Sequence, residues 1–324
     1  MILNPTNTPT RKAFSTRMAE RGEGSDFAVF ESDIGYSTYS YLFGDKYPER
    51  YFNFGIAEVS TMSAAAGMAS SGRNVIVCGY GVFLTMRALE MVRSFVCYPN
   101  LNVKILSSHG GVTAAIDGVT HQATEDIAFM TTLPNMKVLC PCDPVSAAAA
   151  FDLALATPGP VFVRLMRDPL YELYKPGDEF RLGGSHVVRN GSHVTIATYG
   201  DMVFQALAAA ETLASEGIEA EVIDLYSIKP LDIEGILASV GRTGALLVAE
   251  NHQSRNGVGS FVGDYLARKA LCVPYDHIGL EDSFAESGDY QGVLDAWGLG
   301  HANIASVARD LHGRKTLNKG ERKA

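Results

Sequence analysis

The sequence has no apolar run near the roughly 20 residues that a bilayer-crossing helix needs. Its opening stretch, Met1 to Phe14, has no apolar core of the kind a secretory leader uses. Neither a membrane span nor export is expected, and the chain is placed in the cytoplasm. Cysteine is scarce: five in 324 residues cannot frame a disulfide scaffold. Cys140 and Cys142 have no second Cys or His pair at zinc-site spacing, so buried free thiols are expected rather than a metal centre. Positive charge is in deficit, with 27 Lys+Arg against 36 Asp+Glu and a net charge of −9. No basic stripe offsets it, so nucleic acid is not an expected partner. The one basic run, Arg314 to Lys323, follows the last apolar pattern and reads as a solvated tail. Phosphate loops are missing too, since there is no G-x-x-x-x-G-K-[ST], and Gly257-x-Gly259 lacks the third glycine of a dinucleotide fingerprint.

What is present is enough apolar side chain, 47% of residues, to fold, and a length that suits two domains of ordinary size. Short apolar runs alternate with helical-period segments. Val75–Cys78, Val103–Leu106, Val138–Cys140 and Val161–Val163 read as buried strands; Glu58–Ser71, Phe83–Val96, Gln122–Thr132 and Pro144–Ala156 read as helices. A second such block starts at Val194, with a helix over Met202–Ser215. The expected fold class is α/β, two parallel-sheet domains covered by helices. We divide the chain into a first domain at 1–175, a Gly- and charge-rich linker at 176–192, a second domain at 193–312 and the basic tail at 313–324.

Two stretches could carry chemistry. Glu58 lies among apolar and small residues, in Tyr51-Phe-Asn-Phe-Gly-Ile-Ala-Glu58 followed by Thr61-Met-Ser-Ala-Ala-Ala-Gly67. A carboxylate buried there is costly unless a partner satisfies it; it can hold a proton against a ligand nitrogen, or be a helix-start glutamate satisfied by backbone N–H groups or an arginine. The second stretch, Ser107 to Gln122, follows a strand and precedes a helix, at the sheet edge where α/β folds place ligands. It offers His109, Asp117 and His121 from a loop of glycine and small residues, suited to a roomy polar pocket.

Together, Phe54-Gly-Ile-Ala-Glu58 and Asp117-Gly-Val-Thr-His-Gln122 resemble the two motifs of the transketolase pyrimidine-binding domain. Val194-Thr-Ile-Ala197 with Glu221 to Asp232 is similar to the C-terminal domain of the same thiamine-diphosphate superfamily. The resemblance implies that Glu58 hydrogen-bonds N1′ of the cofactor's aminopyrimidine, favouring the tautomer that takes the thiazolium C2 proton. It implies that Tyr80 and Phe83 form the aromatic wall against the pyrimidine, with Asp33 near the cofactor. Asp117 and His121 match groups that bond substrate hydroxyls, His121 also assisting proton transfer. Arg11, Ser37, His109 and Arg167 match the contacts to a substrate phosphate, a role that suits the planar fork of arginine. Val119 stands where the family usually has proline.

The family holds the cofactor's diphosphate and its magnesium through a Gly-Asp-Gly motif. Here Gly200-Asp201 is followed by Met202 and Gly263-Asp264 by Tyr265. The resemblance therefore implies the C-terminal subunit of a split transketolase. A partner would carry the diphosphate and Mg2+ site, in a heterotetramer acting on phosphorylated or similarly anionic sugars. Two other readings stay open at this point: a 2-oxoacid dehydrogenase β-subunit or deoxyxylulose-phosphate-synthase-like fragment, and a catalytically silent scaffold subunit.

Overall fold

The computed structural model describes residues 3–321, and side chains as far as Lys315. The first sheet is built from β1 (Phe27–Glu31), β2 (Tyr51–Asn53), β3 (Asn74–Tyr80), β4 (Val103–Ser108), β5 (Lys137–Leu139) and β6 (Val161–Arg164). These six strands run parallel in the order β5-β6-β4-β3-β1-β2. The interior strands are apolar almost without a break because helices cover both faces. Val75, Ile76, Val77, Val161, Phe162 and Val163 are fully buried. The second sheet contains β7 (His186–Arg189), β8 (Val194–Thr198), β9 (Ala220–Asp224), β11 (Leu246–Gln253) and β12 (Tyr275–Leu280). Its order is β12-β11-β8-β9-β7, parallel except for β7. The α/β class with two sheets thus stands as expected.

Local chemistry explains the helices that matter. At Pro144–Ala156 the Asp143 side chain accepts from Ser146 N, the Ser146 hydroxyl returns the bond, and proline fills the first turn. The helix Glu58–Ala69 lays Met62, Ala65, Ala66 and Ala69 on β3. Its small side chains bring the backbone, and Glu58 at its start, close to the sheet.

Four elements differ from the reading of the sequence. The stretch Phe83–Val96 is not one regular helix: Phe83–Arg87 and Val92–Cys97 are π-helical turns around a short α-helical Leu89–Met91. The helix expected from Gln122 begins at Asp126, because Ala123 is tied to Gly110 and Gly111 by β-bridges. Within 176–192, His186–Arg189 forms β7, antiparallel to β9. Finally, Lys315 is pinned rather than solvated, while Arg314 stays exposed though ion-paired. Lys315 Nζ donates to the carbonyls of His193 at 2.9 Å and Thr243 at 2.7 Å, and Arg314 pairs with Asp310 at 2.5 Å. They belong to the helix His301–Glu321, and the end of the basic run, from residue 322, lies outside the described residues.

The two domains are stitched together. Ser227–Lys229 (β10), from the second block, pairs antiparallel with β5 and extends the first sheet. Of the five cysteines, four are buried and free, Cys140 and Cys142 included, while Cys272 is free and exposed. No helix among the described residues is long and apolar enough to cross a membrane.

Candidate functional site

The carboxyl edge of the first sheet gathers nearly every residue singled out above. Tyr80 ends β3, His109 follows β4, and Arg167 lies three residues beyond β6. Glu58 opens its helix, 2% exposed, where the N-terminal dipole favours an anion. Its Oε2 accepts from Arg87 Nη1 at 2.6 Å, so an arginine compensates the buried carboxylate.

From Glu58 the cluster runs on without a gap. The Arg87 guanidinium lies 4.5 Å from the centroid of the Phe83 ring. Phe83 faces His121 edge-on at 5.5 Å and sits 5.9 Å from Tyr80. Tyr80 contacts His121 at 5.8 Å and packs on His109 at 4.1 Å. The Tyr80 hydroxyl donates to Ser37 Oγ at 2.8 Å, an oxygen that also accepts from Arg11 Nη1 at 2.8 Å. Arg11 Nε donates to the Arg167 carbonyl at 2.9 Å. Arg167 Nε lies 3.6 Å from Asp117 Oδ2, which is itself 4.0 Å from His109 Nε2.

His109 is held under constraint. Its φ is +63°, a region that costs a non-glycine residue energy and recurs at functional sites. Its Nδ1 is 2.5 Å from Ser108 Oγ. Burial, then the guanidiniums of Arg11 and Arg167, then His121, hold its pKa far below the ordinary imidazole value, so it is a neutral hydrogen-bonding group. The cluster therefore places two cations, a neutral imidazole, a hydroxyl and the Asp117 carboxylate at one end, and the Glu58 carboxylate with Arg87 and an aromatic wall at the other.

Asp33 is not drawn into this cluster. Its φ is +61°, and its Oδ1 accepts from Asn53 Nδ2 at 3.0 Å, in an adjoining cavity of about 300 Å³ lined by Glu31, Tyr36, Tyr41 and Tyr51. Three residues of weight were not picked out from the sequence. Arg87 carried a faint signal, a cation four residues after an aromatic. Arg164 and Asn251 carried none: Arg164, at the end of β6, donates from Nη2 to the Ala123 carbonyl at 3.3 Å, and Asn251, from the far side of the domain boundary, accepts at Oδ1 from Val112 N at 2.8 Å, so the two fix the loop of His109 and Asp117. No group of three or more His, Cys, Asp or Glu able to hold a metal occurs among the described residues.

Two α/β domains, with a cluster of aromatic, carboxylate, imidazole and arginine side chains at the carboxyl edge of a parallel sheet, place a candidate ligand site where α/β folds bind their ligands. Residues 7–172 match the transketolase pyrimidine-binding domain and residues 183–304 the transketolase C-terminal domain. The chain belongs to the transketolase family, whose members depend on thiamine diphosphate. A 6-deoxy-6-sulfo-D-fructose transketolase subunit of Clostridium sp. is 37% identical over 275 residues, 85% of each chain. An apulose-4-phosphate transketolase subunit of Phocaeicola vulgatus is 33% identical over 303 residues, 93% of this chain and 96% of that one. A solved split-gene transketolase, described as an inactive β4 tetramer, superposes with a TM-score of 0.86 at 35% identity, over 96% of this chain and all of the other.

Proposed function

We propose that this chain is the catalytic C-terminal subunit of a split transketolase. It moves a two-carbon ketol unit between sugars bearing an anionic end group, and turns over only when an N-terminal partner supplies the diphosphate and Mg2+ site. The residues present fit the cofactor: an almost fully buried carboxylate stands beside an aromatic wall, as a heterocycle with a basic ring nitrogen requires. Thiamine diphosphate supplies the thiazolium carbon that takes up the ketol unit. Glu58 bonds the aminopyrimidine at N1′, and Phe83 and Tyr80 pack its ring. His121, whose ring stands edge-on to Phe83 and near Tyr80, exchanges a proton with a donor-sugar hydroxyl, and Asp117 bonds a second hydroxyl. Arg11, Ser37, His109 and Arg167 hold the anionic end.

The observation that carries this reading is the continuity of the cluster, since one chain of contacts joins the buried Glu58 to the arginine slot. The dehydrogenase alternative leaves that slot without a phosphate to bind, since 2-oxoacids carry none, and a silent scaffold has no use for Glu58 and His121 together. The partner rests on the missing Gly-Asp-Gly and on the similar β-only tetramer being inactive. Relatives that act on a sulfo-sugar and on a phosphorylated sugar support the anionic end group. The assembly proposed is a cytoplasmic heterotetramer. In the test, the chain is purified alone and with a Gly-Asp-Gly-bearing partner, and ketol transfer is assayed with phosphorylated and sulfonated ketoses. Turnover in the complex alone is expected; full turnover by the isolated chain overturns the split-subunit reading.

A further inference from the structure

A buried carboxylate is destabilising unless its charge is compensated, and at Glu58 the compensation is built into this chain. The turn after β3 is π-helical over Phe83–Arg87, with the Ala88 N–H donating to the Phe83 carbonyl five residues back at 3.1 Å. The wider turn places Arg87 above residue 83. Its guanidinium sits 4.5 Å over the Phe83 ring, and from there Nη1 reaches Glu58 Oε2 at 2.6 Å. One planar cation thus touches both features on which the proposed pyrimidine seat rests, the carboxylate and an aromatic face. The Glu58 side chain is 3% exposed and that of Arg87 48%, so the pair is sheltered on the carboxylate side and open on the other.

Resting on the reading of the pocket given above, we infer that Arg87 is a positioning residue for the cofactor site. It compensates the charge of Glu58, fixes that carboxylate in one orientation and clamps the Phe83 ring, so the aminopyrimidine meets an acceptor and a stacking face already in place. Pre-ordering of this kind strengthens binding because less freedom is lost when the ligand arrives. Arginine suits the task because its flat fork can stack on a ring while donating in its own plane; a lysine ammonium supplies the charge but not the plate.

The test has two arms. In the assembled complex, thiamine diphosphate with Mg2+ is titrated calorimetrically into wild type, Arg87→Met and Arg87→Lys. Affinity should fall about tenfold or more in Arg87→Met, with Arg87→Lys in between. In the full chain without cofactor, thermal melting is compared for Glu58→Gln, Arg87→Met and the double variant. Arg87→Met should lower the midpoint, and adding Glu58→Gln should restore most of it, because no buried charge is then left alone. Cofactor binding by Arg87→Met within twofold of wild type overturns the inference, as do melting effects that simply add. If Arg87→Met fails to fold, Arg87→Lys keeps the charge and decides the binding arm, a wild-type affinity there counting against the inference. A wild-type complex that binds no thiamine diphosphate sinks the proposed function instead, while the melting cycle still decides whether Arg87 and Glu58 act as a pair.

Discussion

Arg164 and Asn251 meet across the domain boundary, the Arg164 Nη2 donating to the Asn251 carbonyl at 2.7 Å while its Nε donates to Asp126 Oδ2 at 2.8 Å. Arg164 is 2% exposed and Asp126 fully buried. The Asn251 amide donates in turn to Asp201 Oδ2 at 2.7 Å, an oxygen that also accepts from the Tyr290 hydroxyl at 2.5 Å. A polar network of this depth ties the pocket loop of the first domain to the second, so the domain split does not separate function from scaffold.

Removing Arg164 strands a buried carboxylate. Arg164→Met is expected to cost about 3–5 kcal/mol in urea-unfolding experiments. Adding Asp126→Asn should recover a substantial part, since the stranded charge disappears. A loss under about 1 kcal/mol in Arg164→Met would mean that the network contributes little to stability.

Asp224 gives the protein an inverted acid response. It is wholly buried; its Oδ2 accepts from the Tyr174 hydroxyl at 2.7 Å and Cys142 Sγ at 3.4 Å, while Oδ1 has no hydrogen-bond partner among the described residues. Burial pushes its carboxyl up to about 7. The folded state thus holds this proton more tightly than the unfolded chain, whose aspartate titrates near 3.9. The stability conferred is complete below about pH 4 and is lost as pH rises through 7, by roughly 4 kcal/mol at most. Asp224→Asn keeps an acceptor for Tyr174 without the charge. Its unfolding free energy, relative to wild type, should rise between pH 5 and pH 8; a constant difference would show that Asp224 stays ionised.

The proposed anion slot predicts a split in kinetic constants. In Arg167→Ala, one of two cations beside His109 is gone, and Asp117 loses the guanidinium at 3.6 Å. Losing an interaction made equally in the ground and transition states raises KM without lowering kcat. KM for a ketose phosphate should therefore rise about tenfold or more, with little change for the matching uncharged ketose. Equal effects on the two would place the substrate anion elsewhere.

Much of this was legible in the residues because the controlling signals are local. The parallel strands announce themselves as apolar runs, and the helix Pro144–Ala156 is legible from end to end. His109, Asp117 and His121 could be read as one pocket since they share one short loop. Asn251 could not, because it acts on that loop from 139 residues further along the chain. The π turn at Phe83–Arg87 was hidden for another reason: side-chain periodicity over five residues does not distinguish it from an α-helix. The strand at His186–Arg189 was masked by glycine and charge around it, as it is an edge strand paired on one side only.

Gly111 concentrates the cost of shaping the pocket loop in one residue. Its φ is +60°, and a Cβ there would collide with the side chain of Asn251 and come within 2.5 Å of the Asn251 carbonyl oxygen. Gly111→Ala thus meets two penalties, a backbone at φ +60° and ψ −141° that is essentially glycine-only and costs about 1–3 kcal/mol, and an overlap that forces the loop away from the second domain. The loop carries Asp117 and His121, so a shift of about 1 Å should lower kcat by roughly a hundredfold, and the melting midpoint should fall as well. Asn251→Ala, added to Gly111→Ala, removes the side-chain overlap but leaves both the backbone carbonyl and the dihedral. The double variant is therefore expected to stay impaired in turnover and in melting. Full recovery of activity in it would show that only the Asn251 side chain, and not the backbone of the loop and its neighbour, demands glycine at this position.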